Sequence, residues 1–199
     1  FNGWRVEVET GKEEKIIEFQ ADGMKEKGMV AAAMGTTCLS NSGKWWGVTY
    51  KVAEKSRFMI IDTENGEGKI ILEANSISHM QFCPDDEEQI FYAGPLTDRV
   101  WTIRLDGSGN QRVYEKQPQE WITHESWLPK TNEIAFVDWP NGMRAVNIHT
   151  KQERQLTHFN AWHAISNHVG SRIIADTNFP DIGLQIFDPD DQNFQHETI

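Results

Sequence analysis

Two histidines hold matching places in this sequence: His79 lies five positions ahead of Pro84, and His124 five ahead of Pro129. A third, His163, lies four positions ahead of Asn167, one step out of register. A neutral imidazole is the commonest protein ligand for divalent metals, and it is also a general base that works near neutral pH. At equivalent places in neighbouring repeats such side chains converge, so His79 and His124 are expected to face one another, with His163 as a further candidate. The competing reading is that each histidine caps its own strand by bonding to the next repeat. His149, His158, His168 and His196 fall in turns or near the last residue and read as solvated surface groups.

Arg57, Arg99 and Arg144 open equivalent strands of three successive repeats. A guanidinium forks onto a carboxylate through two parallel hydrogen bonds, which suits a polyanionic ligand. The alternative is an ordinary ion pair with a neighbouring acid, as in Asp98-Arg99. There is no GxSxG nucleophile turn and no glycine loop ahead of a helix. The acidic runs Asp85-Asp86-Glu87-Glu88 and Asp188-Pro189-Asp190-Asp191 read as turns, since neither has the central glycine of a calcium loop.

The elements that must position these groups recur along the chain. Four segments, beginning at Thr36, His79, His124 and His163, share one plan: a short strand, a turn, an apolar strand, a second turn and another apolar strand. Their first turns carry Asn41, Pro84, Pro129 and Asn167, spaced 38 to 45 residues apart, as four-stranded propeller blades are. Asp106-Gly107-Ser108-Gly109 and Glu64-Asn65-Gly66 are hairpin signals within them. The expected fold is all-β: about four consecutive four-stranded blades of a larger β-propeller, at 36–78, 79–123, 124–162 and 163–199. Residues 1–35 would be the end of an earlier blade plus an insertion from Ala21 to Ala33. Four blades do not close a ring, so an internal piece of a longer chain is expected. A complete β-sandwich fits the regular repeat length less well.

Composition narrows the partners. A net charge of −11 argues against a nucleic-acid backbone as ligand, because that binding rests on clustered Lys and Arg. Eight tryptophans in 199 residues favour a sheet-rich protein. Cys38 and Cys83 form neither a disulfide framework nor a CxxC metal site, and no apolar stretch approaches bilayer length. Reduced cysteines and the lack of a signal-like segment make the cytoplasm the expected location.

Taken together and in order, His79-Met80-Gln81-Phe82-Cys83-Pro84-Asp85-Asp86, Gly94-Pro95, Asp98-Arg99-Val100-Trp101, Leu105-Asp106-Gly107 and Thr123-His124-Glu125-Ser126-Trp127-Leu128-Pro129 resemble the central portion of the oligogalacturonate lyases. His163-Ala164-Ile165-Ser166-Asn167 with Ile174-Ala175-Asp176 is similar to the family's next segment. The resemblance runs from about Arg57 onward. It implies a seven-bladed propeller that cleaves short oligogalacturonates to unsaturated uronates by β-elimination, assisted by a divalent, manganese-like ion. It implies His79 as the base that takes the C5 proton and His124 as a metal ligand; His163, from its place in the repeat, is a candidate further ligand. The resemblance implies a substrate-contacting arginine at Arg57; Arg99, at the equivalent place in the next repeat, is the other candidate for binding substrate carboxylates. The family completes its metal site with a Gln-x-x-His-x-His motif; none is present here, and its place is expected beyond Ile199, so this piece alone is expected to be inactive. Tyr92-Ala93 stands where the family commonly has His-Glu, a departure that bears on which uronate is bound. The other reading is a non-catalytic binding or scaffold propeller of the translocation- or peptidase-associated type. That class shares the Pro-Asp-Gly turns but has no reason to repeat a channel histidine.

Overall fold

The computed structural model describes residues 2–19, 33–52 and 54–199. The insertion expected from Ala21 lies outside them, apart from Ala33, where a strand begins. The described residues are built from strands alone. A two-stranded antiparallel sheet, β1 (Asn2–Val6) and β2 (Glu13–Glu18), precedes four sheets of four antiparallel strands. The first sheet holds β3 (Ala33–Leu39), β4 (Trp45–Val52), β5 (Lys55–Asp62) and β6 (Gly68–Ala74). The second holds β7 (Ser78–Phe82), β8 (Gln89–Ala93), β9 (Val100–Arg104) and β10 (Gln111–Arg112). The third holds β11 (Ile122–Leu128), β12 (Glu133–Asp138), β13 (Gly142–Asn147) and β14 (Glu153–Thr157). The fourth holds β15 (Ala161–Ser166), β16 (Ile173–Thr177), β17 (Gln185–Phe187) and β18 (His196–Thr198).

Within each sheet the strands follow in chain order, which is the meander of a propeller blade. The first strands of successive sheets touch one another, β3 with β7, β7 with β11 and β11 with β15, so they form the inner wall. Each begins slightly ahead of the residue at which the repeats were anchored, because the histidines lie inside the strand rather than at its start. Asn41, Pro84, Pro129 and Asn167 all fall in the turn between a blade's first and second strands.

Blades stack face to face, so both faces of a second strand are covered. That is why Ile90-Phe91-Tyr92-Ala93 and Ile134-Ala135-Phe136-Val137 read as unbroken apolar runs and are buried throughout. The hydrophobic clusters lie between blades. Phe58, Phe82, Ile90 and Ile103 join the first to the second. Phe91, Val100, Trp127, Ile134 and Phe136 join the second to the third. Leu128, Val137, Met143, Ile173 and Phe187 join the third to the fourth. Phe19 of the entering sheet packs with Val48 and Ile61.

The acidic run Asp85-Asp86-Glu87-Glu88 is the turn expected of it, and each carboxylate has a task. Glu87 accepts from the Ser42 hydroxyl of the preceding blade at 2.6 Å, and Asp85 accepts from the Lys130 amide of the following one. Asp86 and Glu88 pair with Arg104 of their own blade. The hairpin glycines Gly66 and Gly107 adopt φ of 75° and 92°, a region where a side chain would be strained. Cys38 and Cys83 are free thiols, both pushed up in pKa by burial.

Phe136 is fully buried at the boundary between the second and third blades, with its ring 4.9 Å from that of Tyr114. Phe136→Ala is expected to cost about 3–5 kcal/mol, the range for emptying an aromatic core site. Urea denaturation checks this; a loss below about 1 kcal/mol would mean that the boundary collapses onto the cavity.

Candidate functional site

Every inner strand carries one extra residue at the same place. Pairing with the second strand slips between Met34 and Thr37, between Ser78 and Gln81, between Thr123 and Ser126, and between Ala161 and Ala164. Two residues there oppose one, which is a β-bulge: it bends the strand and re-aims the side chains on it. The bulged pairs are Gly35-Thr36, His79-Met80, His124-Glu125 and Trp162-His163. His79 and His124 hold the left-handed backbone conformation, with φ of 46° and 50°. That region is costly for most side chains, and histidine is among the residues that enter it more readily.

The bulge brings the expected histidines together. The rings of His79 and His124 lie 6.0 Å apart and those of His124 and His163 4.4 Å apart, centroid to centroid. The register explains the offset in the sequence. Trp162 is the counterpart of His79 and His124, and His163 is the counterpart of Glu125. His163 thus reaches the cluster from the other bulge position, while Trp162 lies edge-on to His124 at 5.0 Å. In the first blade the counterpart is Gly35, where an added Cβ would come within 2.3 Å of the Thr49 hydroxyl. That blade has no room for a fourth ring.

Around the rings the polar groups are arranged in order. Glu125, which sequence reading passed over, is buried completely and receives Arg99 through two parallel bonds, Nε to Oε1 at 2.7 Å and Nη2 to Oε2 at 2.9 Å. The same Oε2 is 3.7 Å from Nδ1 of His79. Burial pushes the Glu125 carboxyl up, but the adjacent His79 ring and the hydrogen bonds and charge of Arg99 bring it down to about 2. His124 is lowered to about 4, first by burial and then by its neighbours His163 and His79, so its ring is neutral at neutral pH. His163 is more exposed, and its Nδ1 lies 2.9 Å from Asp176 Oδ2. Burial raises the Asp176 carboxyl, but hydrogen bonds from the His163 ring and backbone outweigh it and hold it below the usual range.

The arginines divide differently from the expectation. Arg99 does not face a ligand: its side chain is 7% exposed and both ends of its fork are spent on Glu125. Arg144 is likewise engaged, by Glu120, Asp138 and Glu153, and lies over the rings of Tyr114 and Phe136. Arg57 is near the start of β5, at the end of its blade that matches the histidine end of the next, and its Nε donates to Glu73 at 3.0 Å. The departure at Tyr92-Ala93 falls in the cores between blades. Tyr92 stacks on Trp101 and donates to Asn110 at 2.8 Å, its phenol pushed up to about 12, first by burial. His149, His158, His168 and His196 are exposed, as expected.

Whether these residues could hold a metal can be judged from the donors. His124 offers a neutral ring, and His163 has the carboxylate behind its Nδ1 that commonly orients a metal-binding imidazole. Among the described residues, however, no three His, Cys, Asp or Glu side chains converge on one metal position. The pair fits part of a site.

A family model described as oligogalacturonate lyase matches residues 29–194. The oligogalacturonate lyase of Dickeya dadantii is 33% identical over 132 residues, 60% of this chain and 34% of that protein. The oligogalacturonide lyase of Pectobacterium atrosepticum is 28% identical over 141 residues, 65% of this chain and 36% of that one. A solved oligogalacturonate lyase in complex with manganese superposes with a TM-score of 0.81 at 21% identity, over 100% of this chain and 59% of its own. At that identity the likeness is one of fold. The chain matches about a third of each of these two curated relatives.

The depressed pKa of His124 has a stability signature. Its folded value of about 4 lies below the ordinary 6.5, so the unfolded chain binds this proton more readily. The stabilisation is fully present above pH 6.5 and is lost as pH falls towards 4. In the metal-free protein, the urea midpoint is expected to drop across that window, and His124→Asn is expected to flatten the drop. Parallel curves for the two proteins would contradict it.

Proposed function

The chain belongs to the oligogalacturonate lyase family, and on that footing we propose that the full-length protein cleaves short oligogalacturonates by β-elimination, with His79 as the base. One observation carries the reading. Three imidazoles stand in a row at the inner wall, each beside a different chemical partner: His79 against a buried carboxylate, His124 among rings, and His163 against Asp176. A strand-capping role alone gives no reason for two of them to hold a left-handed backbone.

In β-elimination the base takes the proton from C5 of a uronate, a double bond forms between C4 and C5, and the C4–O4 bond breaks. The O4 oxygen leaves with a proton, so an unsaturated uronate and a shortened oligosaccharide result. The C5 proton is acidic only when the adjoining carboxylate is neutralised. A divalent, manganese-like ion would supply that as a Lewis acid when bound. In this chain His124 and His163 would hold it: burial keeps the first ring neutral, and Asp176 orients the second. Further ligands would come from outside this chain.

His79 suits the base. Its side chain is 39% exposed, so a sugar can reach it, while its Nδ1 edge faces Glu125. Nε2 is then the nitrogen turned to substrate. Arg57 would bind a uronate carboxylate in exchange for Glu73, its partner here. Support for galacturonate as the sugar comes from the family and from the named relatives.

The test is to incubate the full-length protein with di- and trigalacturonate, with and without manganese, and to follow the ultraviolet absorbance of the 4,5-unsaturated product. A metal-dependent rise is expected, and His79→Ala is expected to lower it by about 10²-fold or more, the usual share of general base catalysis. A flat trace with metal present would sink the reading.

A further inference from the structure

Arg99 and Glu125 join neighbouring blades through two charges that are out of water. A buried ion pair is a poor source of stability, since desolvating both groups costs about as much as their attraction returns. Apolar residues of similar size would close the same boundary. What the pair supplies is direction. Both guanidinium bonds fix the plane of the carboxylate, and its Oε2 faces the Nδ1 edge of His79 at 3.7 Å. A carboxylate accepts hydrogen bonds and donates none, so the only neutral imidazole that suits this neighbour carries its proton on Nδ1. The left-handed bulge fixes the backbone of His79 but leaves the ring free to turn about its side-chain bonds. Glu125 is the group placed to settle that choice.

We infer that Glu125, held in place by Arg99, is the positioning residue of His79: it selects the Nδ1–H tautomer and turns the Nε2 lone pair towards the channel. Arg99 acts one step further back, as the clamp that keeps the carboxylate from swinging out. The catalytic half of this inference rests on His79 being the base, as proposed above; the tautomer half does not.

Two readouts on the full-length protein separate these halves. In the metal-free protein with nitrogen-15-labelled histidine, long-range proton–nitrogen correlation spectra are expected to show His79 protonated at Nδ1. In Glu125→Gln, whose amide can turn a donor to the ring, the proton is expected to move largely to Nε2. Turnover of trigalacturonate by this variant is expected to fall about 10²-fold in kcat with KM within about threefold, since the base is misdirected while binding is untouched. Glu125→Asp, which keeps the charge at a shorter reach, is expected to recover part of the loss. Glu125→Ala would leave Arg99 buried and alone and is avoided for that reason. A parent His79 protonated at Nε2, or a tautomer that the Gln substitution leaves unchanged, overturns the inference. A shifted tautomer with undiminished kcat overturns its catalytic half. If the parent itself turns over no galacturonate, the lyase reading falls, and the spectra still decide the tautomer.

Discussion

One extra residue in each inner strand is the constraint on which the site depends. A regular strand alternates its side chains between two faces, and in a blade both faces are committed to the cores between blades. A side chain can reach the inner wall near the strand's start only where the alternation is broken. The bulge breaks it at the same height in all four blades. What differs is which residue occupies it: Gly35 where Thr49 leaves no space, histidine in the next two blades, and tryptophan beside histidine in the last. The repeat supplies the position, and local space decides what fills it.

The electrostatics of the cluster follow from that placement. Burial first, and then the neighbouring rings of His163 and His79, keep the middle ring, His124, neutral. The flanking rings each meet a carboxylate, but of opposite character. Asp176 is partly exposed to water, whereas Glu125 is sealed and balanced by Arg99. The row therefore has a wet end and a dry end, with a neutral ring between.

Much of this was legible in the sequence. The spacing of Asn41, Pro84, Pro129 and Asn167 gives the blade period, because a turn between first and second strands recurs once per blade. The match of His79 and His124 to those prolines gives their convergence. The offset of His163 was visible as a number but not as a cause, since the bulge that resolves it is a fact of pairing between strands. Glu125 was hidden by its company: one acid beside a histidine looks solvated until its partner, 26 residues earlier, is seen to fold against it. Arg99 was misjudged for the same reason, as Asp98 next door offered a more obvious pairing. Side-chain partners across blade boundaries leave no periodic trace, so sequence pattern cannot find them.

The clamp from Arg99 to Glu125 spans two blades, and so does the contact from Glu125 back to His79. Neither sheet owns this corner: one carries the imidazole and the guanidinium, the other the carboxylate between them. A repeat protein can part locally at a boundary while the sheets on either side stay folded. Opening the seam between the second and third blades would therefore part the imidazole from its carboxylate without unravelling any strand. The setting of the His79 ring is a property of the docking of its two blades, set by the whole apolar seam from Phe91 to Phe136 as much as by the histidine itself.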